Sequence, residues 1–193
     1  MLWFVAIKYH LPCVTYRRLS STIIQDIIAL RDSGSASMAY FYFDFMDSNK
    51  QNRRDLLSSL VTQLSSRSDR CFDLLYLFYI DHDNGSRKPG DDALIKCRKE
   101  MLTLSDKHPV YLIIDALDES SNTSVMPFPR EQVLELLKEL VDLSSTNPHP
   151  CVTSRAEIDI RNALQPSTSR RVSLHEQSGQ KQDIPLVSPC HWA

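Results

Sequence analysis

Glycine is scarce in this chain, which has only four among its 193 residues: Gly34, Gly85, Gly90 and Gly179. None of them is followed by Lys-Ser or Lys-Thr, so the sequence contains no G-x-x-x-x-G-K-[ST] loop. In such a loop the glycines let backbone N–H groups surround a phosphate, which the lysine neutralises. The sequence therefore lacks this means of holding a phosphate group.

Paired cysteines, strong net charge and long apolar runs are lacking as well. The five cysteines are scattered without C-x-x-C spacing, which argues against a disulfide framework or a zinc site and favours the reducing cytoplasm. A formal net charge of -2 predicts no nucleic-acid partner and no attraction to an anionic membrane. No run reaches the ~20 apolar residues that cross a bilayer, so we expect no membrane partner.

The chain does have a strongly apolar segment that is followed directly by acidic residues. Residues 110–114 read Val-Tyr-Leu-Ile-Ile, without a polar residue on either face, which is typical of a strand buried on both faces of a parallel sheet. Asp115, Asp118 and Glu119 follow within five residues. Because open α/β sheets place ligands at the carboxyl ends of their strands, the segment predicts an edge that handles Mg²⁺ and phosphates.

The residue types fit that chemistry. Mg²⁺ prefers oxygen ligands and is usually held by one or two carboxylates together with water and substrate phosphates. A carboxylate at the strand end suits the metal, and one a few residues later suits the orientation or deprotonation of an attacking water. The alternative is that a buried strand simply ends in a polar, helix-capping loop. The residues alone leave both interpretations open.

The rest of the chain alternates between strand and helix patterns, and its 193 residues suit a single domain. Runs rich in β-branched or aromatic residues predict strands at 3–7, 38–45, 150–155 and 171–174. Apolar residues at helical spacing predict helices at 19–30, 52–66, 72–80, 93–104, 131–143 and 157–164. Arg53 and Arg54 oppose the dipole at the start of their helix, so we expect them to face solvent or to meet a phosphate or an acidic partner.

Four separated blocks carry a resemblance to a known family: Ala39–Phe45, Arg53–Leu60, Val110–Glu119 and Val152–Arg155. In this order they resemble fungal NACHT proteins, whose domain is also described as nephrocystin-3-like and which belong to the signal-transduction class of P-loop NTPases. The resemblance covers residues 19–184. It implies an α/β fold of the P-loop NTPase type, with three layers and a mostly parallel sheet, incomplete at the N-terminal strand and loop.

The resemblance also implies roles for individual residues. Asp115 matches the Walker B aspartate, which acts on Mg²⁺ directly or through water and so takes part in cofactor binding. Asp118 and Glu119 match the acidic pair that positions or activates the attacking water. Arg155 matches the sensor arginine, whose guanidinium can stabilise charge on the transferred phosphoryl group; judged from the residue alone, Arg155 fits a helix-start or surface ion pair equally well. The implied cofactor is Mg²⁺ with ATP or GTP, and the implied partners are other proteins or further copies of the chain.

The missing glycine loop limits what the resemblance implies for activity. The loop would precede the helix predicted at 19–30, where residues 9–18 instead offer bulky side chains and no glycine. Isolated basic residues there would be flexible point charges without a cradle. We therefore expect an atypical segment at 1–18 that replaces the loop and first strand, an NTPase-like core at 19–177, and a disordered tail at 178–193.

Functions of different classes remain open on these grounds. The first is a fragment of a NACHT-type signalling NTPase that is inactive in hydrolysis and binds ATP or GTP weakly, or takes no cofactor at all. The second is a non-catalytic protein-interaction module on an NTPase-like scaffold. A third, an unrelated Mg²⁺-dependent phosphohydrolase that uses the same carboxylates, would need turnover without a phosphate-binding loop.

Overall fold

The computed structural model describes residues 2–7, 24–104, 108–121, 129–142, 148–155, 157–164 and 168–173. In these ranges a parallel sheet carries helices on both faces. The predicted α/β class, with three layers and a parallel sheet, is confirmed, and it is consistent with a P-loop-like fold.

One sheet contains all the strands of the described ranges. They are β1 (Leu2–Ile7), β2 (Ser37–Tyr42), β3 (Val110–Asp115), β4 (Pro148–Arg155) and β5 (Thr168–Ser173). Their order is β2-β3-β4-β1-β5, and every neighbouring pair is parallel. The strand predicted from the apolar segment is β3, which lies between β2 and β4 and is buried except at Tyr111. Because all strands run the same way, their carboxyl ends meet at one edge of the sheet.

Helices connect these strands. The described ranges contain α1 (residues 24–32), α2 (Arg53–Ser65), α3 (Asp69–Asp81), α4 (Asp91–Thr103), α5 (Pro129–Asp142) and α6 (Ile158–Leu164), with short 3₁₀ helices at Ser48–Lys50 and Leu117–Glu119. Each predicted helix therefore has a counterpart, displaced by a few residues at its ends. Within these ranges, no helix combines the length and the apolar character needed to cross a bilayer.

The sheet is the middle of the three layers. Ile27 of α1 packs on one face of the sheet against Ile113. On the other face α2, α4 and α5 pack against Phe41, Leu112 and Ile114. Successive residues of a strand point to opposite faces, which explains why β3 must be apolar throughout. Burying one such side chain stabilises the fold by roughly 1.5–3 kcal/mol.

The strand predicted at residues 3–7 is confirmed as β1. It pairs with β4 from Trp3 opposite Cys151 to Ile7 opposite Arg155, and on its other side it pairs with β5. The position next to β4 is thus filled by the N-terminal segment of this chain. Residues 8–23, where a phosphate-binding loop was expected and was missing from the sequence, lie outside the described residues, as does the predicted tail.

Arg53 and Arg54 meet an acidic partner, which was one of the two expectations for them. Asp91, in the first turn of α4, lies 3.1 Å from Arg53 Nη2 and 3.0 Å from Arg54 Nη1. Arg54 also donates a 2.6 Å hydrogen bond to the Pro89 carbonyl. These contacts tie the start of α2 to the start of α4, so both arginines serve the packing of the helices.

Candidate functional site

The carboxyl edge of β2, β3 and β4 brings the predicted site residues together. Tyr42 at the end of β2 lies opposite Asp115 at the end of β3, and Ile114 lies opposite Val152 of β4. The next residues along β4 are Thr153, Ser154 and Arg155. The edge is therefore built from strand ends whose positions are set by sheet register.

Asp115 is buried at this edge, with 8% of the residue exposed. The Thr153 hydroxyl donates a short hydrogen bond to Asp115 Oδ1, and the same hydroxyl oxygen accepts the Ala116 N–H at 3.2 Å. A buried carboxylate needs such a donor, because burying a polar group without a partner is costly. Thr153, which sequence reasoning placed at a strand end without giving it a role, thus orients Asp115.

The chain turns sharply directly after Asp115. Ala116 has φ 53° and ψ 45°, a left-handed conformation that costs a residue with a Cβ roughly 1–2 kcal/mol. The 3₁₀ helix Leu117–Glu119 follows, and Leu117 is fully buried. The turn is held in part by the Thr153 hydrogen bond to Ala116, and it carries Asp118 back toward the end of β4.

Asp118 and Arg155 form a pair across the ends of β3 and β4. Asp118 Oδ1 accepts the Arg155 backbone N–H at 2.8 Å, and Asp118 Oδ2 lies 3.3 Å from Arg155 Nε. The Asp118 side chain is 4% exposed, whereas that of Arg155 is 58% exposed. The carboxylate is therefore engaged through both oxygens, while much of the arginine side chain reaches solvent.

Glu119 lies on the β2 side of the edge. Its carboxylate lies near the Phe45 backbone N–H and near the Asp44 and Asp118 carboxylates. Burial raises the pKa of Glu119 above its ordinary value of 4.5. The nearby Asp118 and Asp44 carboxylates add to the rise, and the Phe45 backbone N–H and the Arg155 guanidinium oppose it. The environment of Glu119 therefore favours its protonated form.

We expect Glu119→Gln to raise the melting temperature at pH 7 and to lose this advantage as pH falls through the raised pKa of Glu119 toward its ordinary value of 4.5. A raised folded-state pKa means that the folded chain binds the proton more tightly than the unfolded chain, so ionisation weakens the fold as pH rises. Thermal melts between about pH 4 and pH 7 measure the difference. Glu135→Gln, on the exposed side of α5, is the matched control and should leave the melting temperature unchanged. A lower melting temperature for Glu119→Gln at pH 7 would contradict this expectation.

Arg130 was not predicted from the sequence, and it stabilises the turn that carries Asp118 and Glu119. Its residue is 5% exposed, and Nη2 donates to the carbonyls of Asp118 at 2.6 Å and Ser120 at 3.1 Å. Nη1 pairs with Glu157 and lies 3.3 Å from Asp159. The sequence feature that could have indicated Arg130 is its position as a cation in the first turn of a helix, where the helix dipole disfavours positive charge. Such a residue requires acceptors nearby. Here the contacts of Arg130 hold the acidic turn Leu117–Glu119 against Glu157 and the first turn of α6.

The edge offers oxygen ligands to a hard cation. Within the described ranges, no group of three or more His, Cys, Asp or Glu side chains is arranged as a metal cage. Mg²⁺ does not need one, because it commonly takes one or two carboxylates and completes its shell with water and substrate phosphates. The Asp115 carboxylate, with the Thr153 hydroxyl beside it, fits one side of such an ion.

Comparison with known proteins identifies the family. The family model described as Nephrocystin 3, N-terminal, matches residues 18–155, more than half of the 193 residues. No curated protein matches the chain. The matched span runs from before α1 to the last residue of β4 and includes Asp115, Asp118, Glu119 and Arg155. The chain therefore belongs to the Nephrocystin 3, N-terminal family.

Proposed function

We propose that the chain is a NACHT-class domain of the signal-transducing P-loop NTPases that keeps one half of the nucleotide site and lacks the other. The observation that carries the proposal is the buried Asp115 carboxylate at the end of β3, oriented by the Thr153 hydroxyl of β4. Asp115 would hold Mg²⁺ as a Walker B aspartate does, and bound Mg²⁺ would neutralise charge on nucleotide phosphates. The half that is lacking is the glycine loop, which the sequence does not contain.

The residues next to Asp115 at this edge have separate proposed roles in water activation and phosphoryl binding. Glu119, rather than Asp118, is suited to orient or deprotonate a water, because Asp118 is engaged by Arg155 through both oxygens. Arg155, more than half exposed, carries a guanidinium beside the Asp118 carboxylate at this edge, and it can face phosphoryl charge. Without the glycine loop we expect weak affinity for ATP or GTP and negligible hydrolysis.

The cellular context belongs to the same proposal. The four sequence blocks that resemble fungal NACHT proteins support a cytoplasmic signalling role, with other proteins or further copies of the chain as partners. In an intact relative, nucleotide exchange would bias the equilibrium between two states of the signalling protein. In this chain, nucleotide would shift the equilibrium between the two states only slightly.

A non-catalytic interaction module is the second candidate function. The Asp118–Arg155 pair and the Arg130 contacts use the charged groups of the edge to hold the structure together. An edge occupied in this way can present a rigid surface without binding nucleotide.

Titration of the isotopically labelled chain with Mg²⁺ and ATP or GTP, followed by NMR, distinguishes the two functions. The proposal predicts Mg²⁺-dependent shifts of Ala116, Glu119 and Arg155 amides at millimolar nucleotide, and Asp115→Ala should abolish them. Asp92→Ala, at an exposed position of α4, is the control and should leave them intact. Absence of shifts at the edge of the wild-type chain, or shifts that persist in Asp115→Ala, would favour the interaction module.

A further inference from the structure

Strand β2 forms one edge of the sheet. In the order β2-β3-β4-β1-β5 it has β3 on one side, and no other strand of the described ranges lies on its outer side. The Ser37 and Phe43 N–H groups donate to carbonyls on the β3 side, at 2.9 and 3.0 Å. Peptide groups of successive strand residues point to alternate sides within the plane of the sheet. The N–H and C=O groups that point outward therefore belong to Met38, Tyr40 and Tyr42.

This edge has the composition of a strand that pairs readily with other strands. Residues 38–43 read Met-Ala-Tyr-Phe-Tyr-Phe, without charge, proline or glycine, and β2 pairs with β3 in unbroken register from Ser37 to Tyr42. Tyr40 and Tyr42 are 49% and 39% exposed. Uncharged segments of high β-propensity associate edge to edge when they are exposed, and proteins commonly protect such edges with lysine, proline or a bulge. Strand β2 has none of these features, so its edge needs another form of protection.

A side chain of α2 occupies this edge. Gln63 Oε1 accepts the Tyr40 N–H at 3.0 Å, and Gln63 Nε2 donates to the Tyr40 carbonyl at 2.6 Å. Two residues that face each other in an antiparallel ladder exchange the same kind of bond pair. Gln63 Nε2 also donates to Ser59 Oγ at 2.9 Å, about one turn earlier on α2. The Gln63 amide thus takes the place of one residue of a neighbouring strand, and Ser59 fixes its orientation.

The outward groups of β2 are self-complementary. Two copies of β2, antiparallel about a two-fold axis at Tyr40, would place Tyr40 opposite Tyr40 and Met38 opposite Tyr42 of the other copy. Every outward N–H and C=O group of the strand would then face a partner, and the exposed tyrosine side chains would form cross-strand aromatic pairs. Gln63 holds the central position of this ladder, so its bonds to Tyr40 and the pairing of two copies exclude each other.

We propose that Gln63 closes the β2 edge against strand addition, and that the strand it excludes is β2 of a second copy of this chain. The contact within one chain prevails because pairing of two chains costs translational and rotational freedom, which the Gln63 bonds do not. Gln63 is therefore an autoinhibitory residue for self-association through the sheet. This inference stands on the β2 edge alone and does not depend on nucleotide binding.

Gln63→Ala tests the closure. Alanine removes both bonds to Tyr40 and keeps a residue that favours the helix. Hydrogen exchange of the β2 amides in the full chain at about 1 µM should become at least about fivefold faster, because the Tyr40 N–H loses its acceptor, while the β3 amides keep wild-type protection. At about 100 µM the β2 amides of Gln63→Ala should regain protection, and sedimentation velocity should show association at least about tenfold tighter than that of the wild-type chain.

Tyr40→Lys in the Gln63→Ala chain separates strand pairing from a general loss of stability. The two lysines would face each other across the two-fold axis, and a lysine on an edge strand opposes pairing. The double variant should therefore return to wild-type association, while its β2 amides stay unprotected at every concentration. Thr62→Ala, next to Gln63 at an exposed position of α2, is the matched control and should behave as the wild-type chain does.

The remaining outcomes would overturn the proposal. Unchanged exchange at β2 in Gln63→Ala would show that Gln63 does not close this edge. Faster exchange without tighter association would show that a second copy is not the strand that Gln63 excludes. Association that persists in the double variant would use another surface. Loss of protection in β3 together with β2 would show that Gln63 supports the whole sheet rather than its edge.

Discussion

Replacing Arg130 with Met is expected to lower the free energy of unfolding by about 2–4 kcal/mol, because the substitution leaves several acceptors without their donor. The carbonyls of Asp118 and Ser120 lose their hydrogen bonds from Nη2, and Glu157 and Asp159 lose their counter-ion. The two carboxylates are 30% and 45% exposed, so water compensates part of their loss, and we place the effect below that of a fully buried pair. A drop of this size corresponds to a melting temperature lower by roughly 5–15 °C.

Arg161→Met provides the matched control for Arg130. Arg161 lies on α6 at an exposed position, so its replacement should change stability by no more than about 0.5 kcal/mol. Thermal melts and urea unfolding of both variants make the comparison. Equal stability of Arg130→Met and the wild-type chain would show that the Arg130 contacts do not hold the acidic turn.

Insertion of a glycine loop should increase affinity for Mg²⁺-nucleotide at least about a hundredfold. The variant replaces residues 8–18, which follow β1, with a segment that carries G-x-x-x-x-G-K-[ST]. Its backbone N–H groups and lysine would each donate to phosphate, and two charge-assisted hydrogen bonds worth about 1.5–3 kcal/mol each account for the gain. Calorimetry with ATP and GTP measures the affinity directly.

The inserted loop also tests whether Asp115 belongs to a nucleotide site. Asp115→Ala in the loop-bearing chain should remove most of the gain, because Mg²⁺ would lose its protein carboxylate. The same loop with alanine in place of its lysine is the control for non-specific effects of the insertion and should give a smaller gain. A folded loop-bearing chain with no gain, or a gain that survives Asp115→Ala, would show that this edge is unrelated to a nucleotide site.

Most of the sheet could be predicted from the sequence because its apolar segments are unambiguous. Residues 110–114 have no polar member and form the buried strand β3, and Asp115 follows at the carboxyl end as expected. Phe72 to Ile80 were predicted as a helix from their apolar character and form most of α3. The same pattern could not show that one side of α3 is uncovered, because burial depends on which elements pack nearby.

The parts of the site that were missed depend on contacts between distant segments. Arg130 lies at the start of α5 and acts on Asp118 and Glu157, which come from two other segments. Ala116 adopts a left-handed conformation that its residue type disfavours, so no local preference predicts the turn that places Asp118 beside Arg155. Sequence patterns identify strand ends, whereas the pairing of side chains at those ends requires the register of the sheet.

Isothermal titration calorimetry of the unmodified chain with ATP and with GTP, each in the presence of Mg²⁺, tests the central claim most directly. The claim is that the carboxylate half of a nucleotide site is present at the end of β3 while the phosphate-binding loop is absent. It predicts a dissociation constant weaker than about 100 µM for both nucleotides. Binding in the low micromolar range would contradict the claim, because it would require a phosphate-binding group that the glycine-poor sequence does not provide.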